Sequence, residues 1–224
     1  MIRFEFLEGC GCAVAAMSDK SDGDCGIRGD RARQIRGRLC KVCGVDANGL
    51  VVPHQVHGMR IAYAHAPGVH PATDGLISDV RGLPLTVVAA DCVPVFLVAP
   101  GSCAVGLVHA GRRGTRANIA GKAVATLGKR LDVAPWEIHA LVGPSAGPCC
   151  YEVSAEMAED FVSAGLPAEG RRLDLWQANA QQLAAAGVPE AQVVVAGICT
   201  ICDGRFHSYR AGSATARNMA MLVL

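Results

Sequence analysis

Three apolar runs follow one another closely, at residues 85–90, 93–98 and 103–109. The stretch 83–100 that holds the first two contains Asp91 and is cut by Pro84, Pro94 and Pro100. A membrane-spanning helix needs about 20 apolar residues without such interruptions. The runs are also rich in valine, so they read as short buried strands separated by tight breaks. With 51% hydrophobic residues in a chain of 224, there is material for a sizeable core around them.

The rest of the chain supplies both kinds of element. Residues 50–56, 76–78, 138–142 and 192–196 read as further strands bounded by Gly and Pro. Residues 31–43 read as a helix through Ile35, Leu39 and Val42, and 116–131 as another through Ile119, Ala123, Leu127 and Leu131. Ser154 suits the N-cap of a helix running to about 164. Residues 174–186 and 213–222 are expected to be helical, and 18–30 and 143–150 to be loops. This irregular mixture predicts one α/β (α+β) domain over residues 1–224 rather than a doubly wound sheet.

Charge and composition exclude several partners. A net charge of +1 with no long run of one sign leaves no electrostatic footprint for nucleic acid or an anionic membrane. The N-terminal dozen residues carry two glutamates and no long apolar run, so they do not read as a signal peptide and a cytoplasmic setting is expected. Eleven cysteines then read as mostly reduced thiols. Two Cys-x-x-Cys pairs, Cys40/Cys43 and Cys199/Cys202, could mark a metal or redox site. Cysteine is often a small apolar filler, and that is the expectation for both pairs.

Reactive side chains concentrate in three segments. In His54–Gln55–Val56–His57–Gly58, strand alternation puts Gln55 and His57 on one face and His54 on the other. Only one of the two histidines should then reach a common site, and His57, beside Gly58 at the strand end, is the candidate. In Ala90–Asp91–Cys92–Val93–Pro94, a carboxylate and a thiol sit inside an apolar stretch, and burying Asp91 unpaired would be costly. Pro94 suggests a break in strand pairing that exposes them. In His109–Ala110–Gly111–Arg112–Arg113–Gly114, a strand ends in a basic, glycine-flanked loop that opens a helix, a setting suited to an anion. His57, Cys92 and His109 make a set of ligands suited to zinc, with a fourth position open to water or substrate. Spacing alone cannot single out such a dispersed trio.

These segments resemble a known family. QVHG at 55–58, TDGLIS at 73–78, ADCVPVFL at 90–97, HAGRRG at 109–114, GPSAGPCCYEV at 143–153 and FHSYR at 206–210 are similar, in the same order, to the YfiH-like laccase-domain family, also called multicopper polyphenol oxidoreductases. The resemblance implies one zinc held by His57, Cys92 and His109. It also implies mixed β-sheets packed together with helices outside, a fold shared with a toxin deamidase. The implied activities are phosphorolysis of purine nucleosides (adenosine, inosine, guanosine, methylthioadenosine) and deamination of adenosine, and some members are linked to editing of peptidoglycan precursors. Asp74 and Asp91 are then candidates for proton transfer, and Gln55, Arg112, Arg113 and Arg210 for binding substrate or phosphate, in a protein expected to be monomeric. Arg112 stands where the family usually has Trp, and residues 18–30 follow the family's glycine-rich segment only loosely.

Two other readings compete. Cys92 could be the nucleophile of a metal-free Cys/His hydrolase, for instance on peptidoglycan precursors, but a nucleophile needs one base and the second histidine would be surplus. Alternatively, Arg112 could mark a zinc-binding protein without activity, although all three ligands are intact. Copper oxidase chemistry is not expected, because seven histidines without a single His-x-His pair are poor material for four coppers.

Overall fold

A computed structural model describes residues 1–26 and 29–224 of the chain. Along it run the strands β1 (Ile2–Arg3), β2 (Val14–Met17), β3 (Val51–Pro53), β4 (Ile61–Tyr63) and β5 (Gly68–His70). They are followed by β6 (Gly75–Ser78), β7 (Leu85–Ala89), β8 (Val93–Ala99), β9 (Ala104–Ala110) and β10 (His139–Val142). Last come β11 (Ala168–Glu169), β12 (Arg172–Leu173), β13 (Val193–Val195) and β14 (Asn218–Val223). The helices are α1 (Glu5–Glu8), α2 (Asp30–Val42), α3 (Arg112–Arg116), α4 (Ile119–Leu131), α5 (Ala155–Ser163) and α6 (Leu175–Ala185). No helix among the described residues is long and apolar enough to cross a membrane.

Two six-stranded mixed sheets form the body, in the orders β1-β2-β14-β7-β3-β5 and β13-β10-β8-β9-β6-β4. The run 93–99 explains how they stack. In β8 every residue is buried, and its side chains alternate between two faces. Val95, Leu97 and Ala99 join the cluster that also holds Ala123, Val124 and Leu127 of α4 and Ala178 and Leu183 of α6. Phe96 and Val98 turn the other way, onto Leu85 and Val87 of β7 and Ala220 and Leu222 of β14. The outer face of the first sheet is covered in turn by Ile35, Leu39 and Cys40 of α2 against Val88, Met219 and Met221. The layers are therefore helices, sheet, sheet, helix. A strand buried on both faces loses the alternation of a half-exposed one, as its sequence already shows.

Three expectations need correction. Residues 213–222 are not a helix: Asn218–Val223 is a central strand, antiparallel to both β2 and β7 and buried at all six positions. Ala, Met and Leu favour helix in isolation, but pairing on both edges outweighs that preference. The strand at 50–56 stops at Pro53. The helix at 116–131 is two helices, broken at Asn118, whose backbone is left-handed and whose side chain caps the N–H of Gly121. Ser154 does cap α5, accepting the N–H of Met157. Of the loop read at 18–30, Ile27 and Arg28 lie outside the described residues.

Candidate metal centre

The turn between β7 and β8 aims Cys92. Asp91 there has a positive φ of 84°, a conformation costly for a residue with a Cβ and kept only where surroundings enforce it. The enforcement is visible. Its carboxylate accepts bonds from Thr200 Oγ1 (2.8 Å) and the Arg210 backbone N–H (2.8 Å), and its carbonyl accepts the Ala146 N–H (2.9 Å). The break thus lies at Asp91 and not at Pro94, which is paired within β8 opposite His109.

His57 arrives by a different route from the strand alternation expected of it. Residues 54–58 lie beyond the end of β3, and His57 itself is left-handed, with φ 57°. What holds the turn is Asp74, fully buried. Its carboxylate accepts the backbone N–H groups of Val56 (3.2 Å), His57 (2.9 Å) and Gly58 (2.8 Å). The same carboxylate lies 3.0 Å from His109 Nδ1, and the Asp74 carbonyl accepts the His109 N–H at 2.7 Å. One carboxylate therefore fixes two histidines from different segments, and it leaves Nε2 of His109 for a metal. Carboxylate–histidine pairs of this kind orient metal ligands.

The ligand atoms of His57, Cys92 and His109 all lie within 4.8 Å of one another. The two imidazoles meet edge to face at 4.8 Å between centroids. His109 is buried, Cys92 half-buried and His57 exposed, so the trio closes on the protein side and opens outward. Gly111 makes the approach possible: a Cβ there would stand 3.0 Å from Cys92 Sγ and 3.1 Å from His57 Cδ2. Burial alone would push the Cys92 thiol up, but the charge of His109 and the bonds from both histidines outweigh it and bring it down to about 6. Burial would likewise lower His109, yet the Cys92 thiolate and Asp74 raise it to about 9. Asp74, also opposed by burial, is held below its ordinary value by the His109, Gly58 and Val56 bonds. The site is a thiolate between two imidazoles, which is the donor chemistry of a three-ligand metal centre.

The trio borders a cavity of about 530 Å³, a volume suited to a small molecule. Gln55, Asp91 and Arg210 line it as well. Gln55 is pinned, donating to the Val88 carbonyl and accepting the Val88 N–H, both at 2.8 Å. The Arg210 guanidinium lies over the Tyr151 ring at 4.9 Å and donates to the Glu152 carbonyl. Arg112 and Arg113 open α3 beyond Gly111 and are not among the lining residues. Arg112 still acts on the wall: burial and Cys92 raise the Tyr151 phenol, and the charges of Arg210 and Arg112 oppose them. α3 is braced by α6, whose Asn179 and Gln182 donate to Thr115. His54 lines a separate hollow of about 710 Å³ beside α2, which contains none of the trio.

Sequence reasoning did not single out Tyr151, Tyr209, Arg217 or Leu175, all on the cavity wall. The two tyrosines stand inside motifs that carried the resemblance, so a signal existed. Arg217 lies within residues 213–222, expected as a helix, immediately before β14, and nothing local marked it. The four cysteines 149, 150, 199 and 202 also converge, so the filler reading of Cys199/Cys202 does not fit their surroundings. Cys40, on the inner face of α2 and buried with Val88, Met219 and Met221, does fit it.

Comparison with known proteins gives a consistent picture. A family model described as multi-copper polyphenol oxidoreductase laccase matches residues 24–224. Purine nucleoside phosphorylase YlmD of Geobacillus stearothermophilus is 39% identical over 211 residues, covering 84% of this chain and 76% of that protein. Adenosine deaminase RL5, from an unknown prokaryotic organism, is 34% identical over 202 residues, covering 80% of this chain and 77% of its own. The crystal structure of YlmD from Geobacillus stearothermophilus superposes with a TM-score of 0.87 at 33% identity, over 94% of this chain and 91% of the other.

Proposed function

The chain belongs to the multi-copper polyphenol oxidoreductase laccase family, and within it we propose a zinc-dependent purine nucleoside phosphorylase that also deaminates adenosine. One observation carries the reading: the thiolate of Cys92 and the imidazoles of His57 and His109 converge on the edge of a cavity of about 530 Å³. Relatives named purine nucleoside phosphorylase and adenosine deaminase support the substrate class.

The choice of zinc rests on the openness of the site. A His₂Cys set also occurs in electron-transfer copper centres, where a long axial ligand completes the coordination. Here His57 is exposed and the trio faces a cavity, which matches a catalytic zinc with an open position. When bound, zinc supplies Lewis acidity at that position. The protein's own residues do the rest. Asp74 fixes His109 and the 56–58 turn. Asp91 accepts from Thr200 and Arg210 through both oxygens and so holds the wall segment that carries Arg210. With their oxygens already engaged, both carboxylates serve in positioning rather than the proton transfer expected from sequence.

In phosphorolysis a phosphate oxygen forms a bond to the ribose C1′ as the bond from C1′ to the purine nitrogen breaks; the electron pair leaves with that nitrogen, and the base gains the proton that hydrogen phosphate gives up. Arg210, on the cavity wall, is the inner cation for that phosphate, with Arg112 and Arg113 as an outer pair. Tyr151 lines the same cavity, with Arg210 over its ring, and would contribute aromatic surface for the base. The proposed setting is a cytoplasmic monomer acting on small molecules, in keeping with a net charge of +1.

The test joins metal analysis to a nucleoside screen. Protein purified without added metal should carry zinc that Cys92→Ala loses together with turnover of adenosine and inosine. Phosphate should be required for release of free base and not for conversion of adenosine to inosine. Full activity in metal-free protein, or copper in place of zinc, would sink the proposal.

A further inference from the structure

A second set of ligands lies in the 143–153 and 196–217 loops, which carry no part of the His₂Cys centre. The sulfur atoms of Cys149, Cys150, Cys199 and Cys202 all lie within 4.8 Å of one another, and those of Cys149 and Cys202 are 3.9 Å apart. Four sulfurs around an ion at a bond length near 2.3 Å form a tetrahedron with an edge of about 3.8 Å. The cluster already has close to those dimensions. We propose that Cys149, Cys150, Cys199 and Cys202 bind a second zinc ion in a closed four-thiolate site that clips together the two loops bearing Tyr151 and Arg210.

The backbone brings the cysteines together independently of any ion. Ser145 bridges Cys199 in parallel fashion, the Ser145 N–H donates to the Ile198 carbonyl (3.1 Å), and the Thr200 N–H donates to the Ser145 carbonyl (2.9 Å). This register sets Cys-Cys at 149–150 against the Cys-x-x-Cys turn at 199–202. That turn is closed by the Asp203 N–H on the Cys199 carbonyl at 2.8 Å. Backbone N–H groups of Gly147, Ile201 and Cys202 face the Cys199 sulfur, as donors do around a metal-bound thiolate.

Two simpler explanations fit less well. Cysteine as apolar filler is buried, whereas Cys149 and Cys202 are exposed. A disulfide joins two sulfurs and assigns nothing to the other two, while mutual approach of all four is what a tetrahedral ion requires. Four thiolates around Zn²⁺ leave a net charge of −2, and the cleft beside Cys149 and Cys150 holds Arg171 and Arg172 together with Glu152 and Glu169, so its own charges balance. On binding, the thiol protons go to solvent. An all-sulfur tetrahedron suits zinc, and with no open position its work is structural. The ion would close a long loop between residues 149 and 202, restricting the unfolded chain.

The inference is independent of the nucleoside reading, and the experiment separates the two. Elemental analysis of the full chain is expected to give two zinc ions, falling to one in Cys92→Ala and to one in Cys202→Ser. If the His₂Cys centre holds no metal, wild type and Cys92→Ala should both show one zinc, still lost in Cys202→Ser. Cobalt(II)-loaded wild type should show the intense visible bands of a tetrathiolate ion, retained in Cys92→Ala and absent in Cys149→Ser and Cys202→Ser. Circular dichroism checks that the serine variants fold, and the wild-type cobalt spectrum reads the site even if they do not. The proposal is overturned if wild type lacks the tetrathiolate spectrum, or if both serine variants keep the full zinc content. It is equally overturned if alkylation and mass spectrometry find Cys149 or Cys202 in a disulfide in freshly purified protein, or if iron takes the place of zinc.

Discussion

Asp74→Asn is the substitution that most directly tests how the metal centre is built. It preserves shape and removes one acceptor and the charge. The two carboxylate oxygens take four bonds in a fully buried position: Oδ1 from His57 N and His109 Nδ1, Oδ2 from Val56 N and Gly58 N. An amide has one oxygen, so either orientation sets an NH₂ group against two donors. The better choice keeps His109 and leaves Val56 and Gly58 facing an NH₂ group. Each buried donor left without a partner costs about 1–3 kcal/mol. Stability should therefore fall by about 2 kcal/mol or more, read by urea unfolding of the metal-free protein. Metal binding should weaken further, because the negative charge that orients and polarises His109 is gone. Loss of such an outer partner typically costs about 10–100-fold in affinity, or about 1.4–2.7 kcal/mol. Competition with a chromophoric chelator, in a Cys202→Ser background so that one site is read, gives the number. An affinity within twofold of the parent would refute the claim that Asp74 assembles the site.

Further outcomes follow from single contacts. Gly111→Ala sets a Cβ 3.0 Å from Cys92 Sγ and 3.1 Å from His57 Cδ2, so zinc affinity should drop about tenfold or more with the unfolding midpoint nearly unchanged; unaltered affinity would show that the ligands can yield. Arg210→Ala should raise the KM for phosphate more than Arg113→Ala, by about ten- to a hundredfold if a charge-assisted bond worth about 1.5–3 kcal/mol is lost. Steady-state kinetics with inosine decides, and a larger effect of Arg113→Ala would move the anion to the start of α3. Gln55→Leu removes two bonds to Val88 and should cost about 1–3 kcal/mol of stability without loss of zinc. Zinc loss in that variant would mean Gln55 supports the ligands rather than the strand.

The sequence by itself determined the central strands and which three side chains to consider as candidate ligands. The runs that became β7, β8 and β9 could be read because continuous burial on both faces leaves an uninterrupted apolar signature. His57, Cys92 and His109 could be named because ordered motifs preserve residue type, whatever backbone delivers them. How they are delivered was not legible. His57 is held by a left-handed turn whose N–H groups are collected by Asp74, a residue 17 positions away. Local periodicity carries no term for that bond. The C-terminal strand was misread for the same kind of reason: Asn218–Val223 has helix-favouring residues, and only β2 and β7 on its two edges supply the hydrogen bonds that make it a strand. Cys149 and Cys202 are 53 residues apart, and a cysteine's neighbours in space decide whether it fills a core or binds an ion. Pattern along a chain reports burial and residue chemistry, whereas convergence of distant side chains depends on pairings made only when the sheets assemble.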